Sequence, residues 1–97
     1  MIRVTVRSAM QIADVLGGRK IEVALSDENP DISALFANLS LSYGEAFRER
    51  IFKEDGSVKN GHFSVMLNGR NIFAFDGFAC GLKEGDDVVI LPAIGGG

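Results

Sequence analysis

Thiol, imidazole and indole chemistry are nearly absent from this chain, which holds one cysteine (Cys80), one histidine (His62) and no tryptophan in 97 residues. A lone thiol closes no internal disulfide and cannot build a four-thiolate zinc or iron–sulfur site. No run of about 20 apolar residues occurs, which excludes a membrane-spanning helix. The opening residues, MIRVTVR, alternate apolar and polar, whereas a signal peptide passes from a basic region into an apolar block. The expected setting is therefore reducing and cytoplasmic. Positive charge is also in short supply, with ten Lys and Arg against thirteen Asp and Glu for a net charge of −3. That balance argues against a nucleic-acid backbone as the main partner. What remains is the composition of an ordinary soluble globule, 46% hydrophobic and 24% charged. The length suits one domain and excludes a two-domain enzyme.

Periodicity orders the chain. Ile2, Val4 and Val6 alternate with Arg3, Thr5 and Arg7, the period of a half-buried strand. Residues 9–16 (AMQIADVL) predict a short helix stopped by Gly17 and Gly18. Ile21, Val23 and Leu25 alternate again and predict a second strand, hairpinned to the first. Asn29 or Asp31 is placed to cap a helix, with Pro30 tolerated in its first turn. Ile32, Leu35, Phe36 and Leu39 then form one apolar stripe at i, i+3, i+4 and i+7, the strongest helix signal present. Gly44 interrupts it, Phe47 and Ile51 anchor a further short helical segment, and residues 53–61 form a polar loop. Phe63, Val65 and Leu67 read as a strand, Asn68-Gly69 as a tight hairpin turn, and residues 72–75 as the return strand. The last strand is DVVIL at 87–91, ended by Pro92. The predicted class is α+β: a mixed sheet of four to five strands with one main helix across one face, its first and last strands parallel neighbours at the centre. This is the β-grasp, or ubiquitin-like, arrangement.

Catalytic groups are sparse. His62 reads as a solvated loop residue, Cys80 as a small, partly buried filler, and the Asp86-Asp87 pair beside Gly85 as a turn, since adjacent carboxylates on a strand face opposite ways. The feature that packing explains least is the terminal run Gly95, Gly96 and Gly97. Glycine loses the most backbone entropy on ordering and adds no packing. Side-chain-free residues can, however, thread a narrow channel and present a carboxylate inside another protein. From Pro92 to Gly97 the extended reach is at most about 20 Å. A carboxylate is unreactive until activated, which requires a partner enzyme.

The stretch LKEGDDVVILPAIGGG at 82–97 resembles the end of the molybdopterin synthase small subunit and its relatives, the ubiquitin-like sulfur carriers, and LNGRNI at 67–72 resembles a second segment of that family. Ala93 and Gly95 depart from the usual pattern, and Cys80 is no part of it. The resemblance implies a β-grasp domain at 1–92 and a flexible glycine tail at 93–97. It further implies that Gly97 is adenylated and converted to a thiocarboxylate, with Gly95 and Gly96 threading the partner's channel. The implied partners are an adenylating enzyme of the ubiquitin-activating type, a sulfur donor protein and the large subunit of molybdopterin synthase. No nucleic acid, membrane or metal is implied, and no cofactor is bound, ATP being consumed by the adenylating partner. A protein modifier joined to lysines, a sulfur carrier for cysteine or thiamine synthesis, and a passive interaction module are the competing readings. Plant-type ferredoxins share the fold but need four cluster thiolates.

Parity in the last strand suggests where partners dock. Val88 and Ile90 take one face, Val89 and Leu91 the other, and the helix covers only one. The uncovered parity, with Met66 and Phe73 or Phe75, is expected to form an apolar patch near the tail, rimmed by Arg3, Arg7 and Arg70. The alternative is that a loop bearing Phe78 folds over it.

Overall fold

The alternation at the start of the chain becomes strand β1 (Ile2–Ser8), with Val4 and Val6 buried and Arg3 and Arg7 in solvent, in a computed structural model that describes residues 1–59 and 61–93. Helix α1 (Met10–Leu16) follows, burying Ile12, Ala13 and Leu16 and closing at Gly17. Strand β2 (Lys20–Leu25) returns antiparallel to β1, with Val4 opposite Val23.

Helix α2 (Ile32–Tyr43) is capped by Asp31, whose carboxylate accepts from the Ala34 amide at 2.8 Å. Pro30 stands before the cap and so lies outside the first turn, where the sequence pattern had put it. The stripe Ile32, Leu35, Phe36 and Leu39 is buried in full. After Gly44, helix α3 (Glu45–Ile51) buries Phe47 and Ile51.

Strand β3 (Phe63–Leu67) leads into a turn in which Asn68 and Gly69 have φ of 51° and 85°. Two successive positive φ values make the type of turn whose twist matches that of the flanking strands, which is why an Asn-Gly pair occupies it. The return strand β4 is Arg70–Asn71 alone. Residues 72–75, read from sequence as this strand, instead form a 3₁₀ turn at Ile72–Ala74, with a second at Gly77–Ala79. Asn71 starts the first turn by accepting from the Phe73 amide at 2.9 Å, so the chain leaves the ladder one residue after pairing with Met66. Strand β5 (Asp87–Pro92) completes the sheet in the order β2-β1-β5-β3-β4, parallel to β1 and antiparallel to β3.

One core joins the sheet and all three helices. Val4, Val6, Val23, Leu25, Phe63, Val65, Val88 and Ile90 from the strands meet Ile12, Leu16, Leu35, Phe36, Leu39, Phe47 and Ile51 from the helices. Phe36 is its aromatic hub, with ring centroids 5.8 Å from Phe47, 6.3 Å from Phe63 and 4.9 Å from Phe78. Cys80 is buried in the same core, its carbonyl accepting from the Ile32 amide at 3.0 Å. Among the described residues no helix is long and apolar enough to cross a membrane.

Candidate functional site

Strand β5 organises everything that bears on function. Its even positions, Val88 and Ile90, are fully buried, while Val89 and Leu91 on the opposite side are half-exposed. Register carries this parity across the sheet: Arg7, Val89, Met66 and Asn71 stand in one row, and Ser64 faces Leu91 in the next. Paired residues of neighbouring strands share a face, so Met66, Val89 and Leu91 form an apolar strip on the side away from the helices. Each described residue of that parity in β1, β3 and β5 is exposed or half-buried, so this face stays open. Phe78 lies on the other side, its ring against Phe36 of α2, and does not fold over the strip.

Arg3 and Arg7 belong to this open face. Arg7 pairs with Asp87 through Nε at 2.8 Å, while the Arg3 amide donates to the Glu84 carboxylate at 3.0 Å. Arg70 does not join them. It is paired with Leu67, hence in the row of Val88 and Val6 on the helix side, and its guanidinium sits 5.0 Å from the centroid of the Phe75 ring. Phe73 likewise turns to the helix side and stacks on Phe78 with centroids 6.0 Å apart. Phe73 and Phe75 are 50% and 43% exposed, a separate aromatic edge beside β4 and no part of the Met66 strip. The expectation that Phe73 or Phe75 joins Met66 in one patch assumed a strand through residues 72–75, and the 3₁₀ turn there cancels the alternation that parity counting needs.

The two sequence segments that carry the family resemblance meet in space. Asn68 Nδ2 donates to Asp86 Oδ1 at 3.0 Å, the Asp87 amide donates to Asn68 Oδ1 at 2.9 Å, and the Asn68 amide donates to the Asp87 carbonyl at 2.8 Å. Asp86 Oδ2 accepts from the Lys83 amide at 2.8 Å, and Gly85, at φ 85°, donates to the Arg3 carbonyl at 2.8 Å. The motif residues at this end of β5 therefore brace its start. Its other end runs past Pro92 to Ala93, whose amide donates to the His62 carbonyl at 2.9 Å. Gly95, Gly96 and Gly97, the residues singled out for chemistry, lie outside the described residues.

Comparison with known proteins decides the family: the sequence model of the ThiS family matches residues 11–97. The chain belongs to the ThiS family. Two curated relatives agree with that membership. Small archaeal modifier protein 3 of Haloferax volcanii is 34% identical over 71 residues, covering 73% of this chain and 74% of that one. A putative sulfur carrier protein of Archaeoglobus fulgidus is 32% identical over 76 residues, covering 78% and 84% respectively. Among solved structures, the crystal structure of H. volcanii small archaeal modifier protein 1 superposes with a TM-score of 0.82 at 20% identity, over 97% of this chain and 100% of that one. The fold of this ThiS-family chain is the ubiquitin-like β-grasp, and its relatives include small archaeal modifier proteins and a putative sulfur carrier.

Proposed function

We propose that this protein is a sulfur carrier in molybdopterin synthesis, the small subunit of a molybdopterin synthase. The Gly97 carboxylate attacks the α-phosphorus of ATP in an adenylating enzyme of the ubiquitin-activating type, releasing pyrophosphate. The outer sulfur of a persulfide on a donor protein then attacks the acyl carbon and expels AMP, and a second thiol cleaves the resulting acyl disulfide, leaving a thiocarboxylate on the carrier and a disulfide between that thiol and the donor cysteine. That sulfur passes to a precursor pterin held by the large subunit of the synthase. The carrier supplies no catalytic group and binds no cofactor, and its body serves delivery.

The observation that supports this reading is the placement of β5. It pairs with β1 as far as Ile90 and with β3 as far as Pro92. This central strand carries the chain to Ala93, the last described residue before the tail, while the open strip of Met66, Val89 and Leu91 offers apolar area for docking. The molybdopterin branch rests on the match of LKEGDDVVILP at 82–92 and LNGRNI at 67–72 to that family's segments.

A second reading, conjugation of Gly97 to lysine amines, is favoured by the 34% identical modifier from H. volcanii. Intact mass of the protein isolated from its own cells separates the two. A gain of about 16 Da, oxygen replaced by sulfur, is expected for the carrier. Branched tryptic peptides bearing the C-terminal glycines on lysines, without the 16 Da species, would assign the modifier role instead.

A further inference from the structure

The last described residue of the chain leaves the sheet through a polar cleft. Gln11 and Ile12 of α1, Glu49 and Arg50 of α3, Lys59, His62, Pro92 and Ala93 enclose about 240 Å³ there. The cleft is built by backbone. The Lys59 amide donates to the Ile51 carbonyl at 2.8 Å, the His62 amide to the Lys59 carbonyl at 3.1 Å, and the Ala93 amide to the His62 carbonyl at 2.9 Å. This ladder carries Lys59 and His62 from the end of α3 to the root of the tail, where they stand with Arg50. Lys59 Nζ donates to the Glu49 carbonyl, and both residues line the cleft. Glu49 is the one acidic side chain of the lining, and among the described residues no ion pair involves Arg50, Lys59 or Glu49.

The sign is informative because it opposes that of the whole chain, whose net charge is −3. An acidic surface on a partner repels the net-negative body and attracts the cations at the tail root, which favours an encounter with the tail leading. Beyond Ala93, four residues reach at most about 14 Å. With the tail extended, the cations therefore meet the entrance of the channel that receives it and not the reacting atoms.

We propose that Arg50 and Lys59, with His62 beside them as a hydrogen-bonding group, form a cationic collar that docks on carboxylate side chains at the mouth of the adenylating partner's channel. This rests on the carrier reading above. The collar sets encounter rate and orientation, whereas the apolar strip supplies buried area. Arg50 also occupies the last turn of α3, where a cation complements the helix dipole. That role affects melting and not recognition, so the two are separable.

The test is steady-state adenylation, followed as ATP–pyrophosphate exchange, by the adenylating enzyme of the same cell, across a NaCl series. Arg50→Glu is expected to raise KM for the carrier about tenfold with kcat unchanged, and to flatten the salt dependence of kcat/KM. Arg50→Gln is expected to shift KM in the same direction by less. Lys83→Glu, at the opposite end of β5, makes the same change in net charge and is expected to leave KM alone. Equal shifts for Arg50→Glu and Lys83→Glu would reduce the effect to net charge and overturn the collar. An unchanged KM for Arg50→Glu in a folded variant would overturn it as well. A lowered KM would do so too, showing that the cleft had been holding the chain's own carboxylate. Failure of the unaltered protein to be adenylated at all would overturn the carrier reading itself, and the collar with it.

Discussion

Asn68 and Asp86, 18 positions apart, are joined side chain to side chain at 3.0 Å, and through this bond the hairpin turn between β3 and β4 is fastened to the turn that precedes β5. Both ends of the Asn68 amide are used, since its Oδ1 accepts from the Asp87 amide at 2.9 Å. The segments that mark the family in sequence thus form one brace at the end of β5 remote from the tail. Their contribution is to stability, and the chemistry proposed above belongs to the tail beyond the other end of the strand.

Asn68→Ala and Asp86→Ala are each expected to destabilise the domain by about 1–2 kcal/mol, because each strands backbone or side-chain partners at a tight turn. The double variant should cost less than the sum, since both belong to one network. Urea unfolding checks this, and strict additivity would show that the two turns are held independently.

Stability and activity should separate between the core and the tail. Leu35→Ala empties a site with no solvent exposure and is expected to cost about 2–5 kcal/mol. Deleting Gly96 and Gly97 is expected to abolish adenylation and leave the thermal midpoint nearly unchanged. A midpoint lowered by the truncation as much as by Leu35→Ala would assign those glycines to the fold.

On the open face, Met66→Asp is expected to weaken binding to the adenylating enzyme and to the large synthase subunit without unfolding the domain. Arg3→Glu with Arg7→Glu should do the same, with a stability loss of only about 0.2–1 kcal/mol from the exposed Arg7–Asp87 pair. Calorimetric dissociation constants decide it, and unchanged values for both partners would remove the sheet face from the docking surface.

The aromatic edge is expected to behave differently from the core it touches. Phe36→Ala, buried among three other rings, should cost about 3–5 kcal/mol. Phe73→Ala, half in solvent with one stacking partner, should cost about 0.5–1.5 kcal/mol. Comparable losses would place Phe73 inside the core.

In the polar loop, the Ser57 hydroxyl and then the Ser57 amide donate to the Asp55 carboxylate at 2.6 and 2.9 Å and lower its pKa. A depressed folded-state value means stability that is present above the unfolded pKa of about 3.9 and lost as pH falls through the folded one. Ser57→Ala is expected to return the Asp55 midpoint toward the ordinary carboxylate range in an NMR titration. An unmoved midpoint would trace the depression to some other cause.

Sequence periodicity was enough for β1, β2, α2, α3, β3 and β5, because in each the side chains that must be buried recur at the spacing of the element itself. Asp31, Asn68 and Gly69 were legible for a related reason, being residues whose chemistry suits a single local geometry. The terminal glycines stood out in the sequence because side-chain-free residues add no packing, and they lie outside the described residues. What periodicity could not show was where the ladder stops. Asn71 bonds the Phe73 amide and turns the chain out of β4, a local competition that alternation of Ile72 to Phe75 does not reveal. With the 3₁₀ turn in place of a strand, Phe73 stacks on Phe78, and pairing register puts Arg70 in the row of Leu67 and Val88. The collar of Arg50 and Lys59, with His62 beside them, was out of reach for a different reason: its members lie on α3 and in the loop before β3, and only the folded backbone, running from Ile51 through Lys59 and His62 to Ala93, brings them together at the root of the tail.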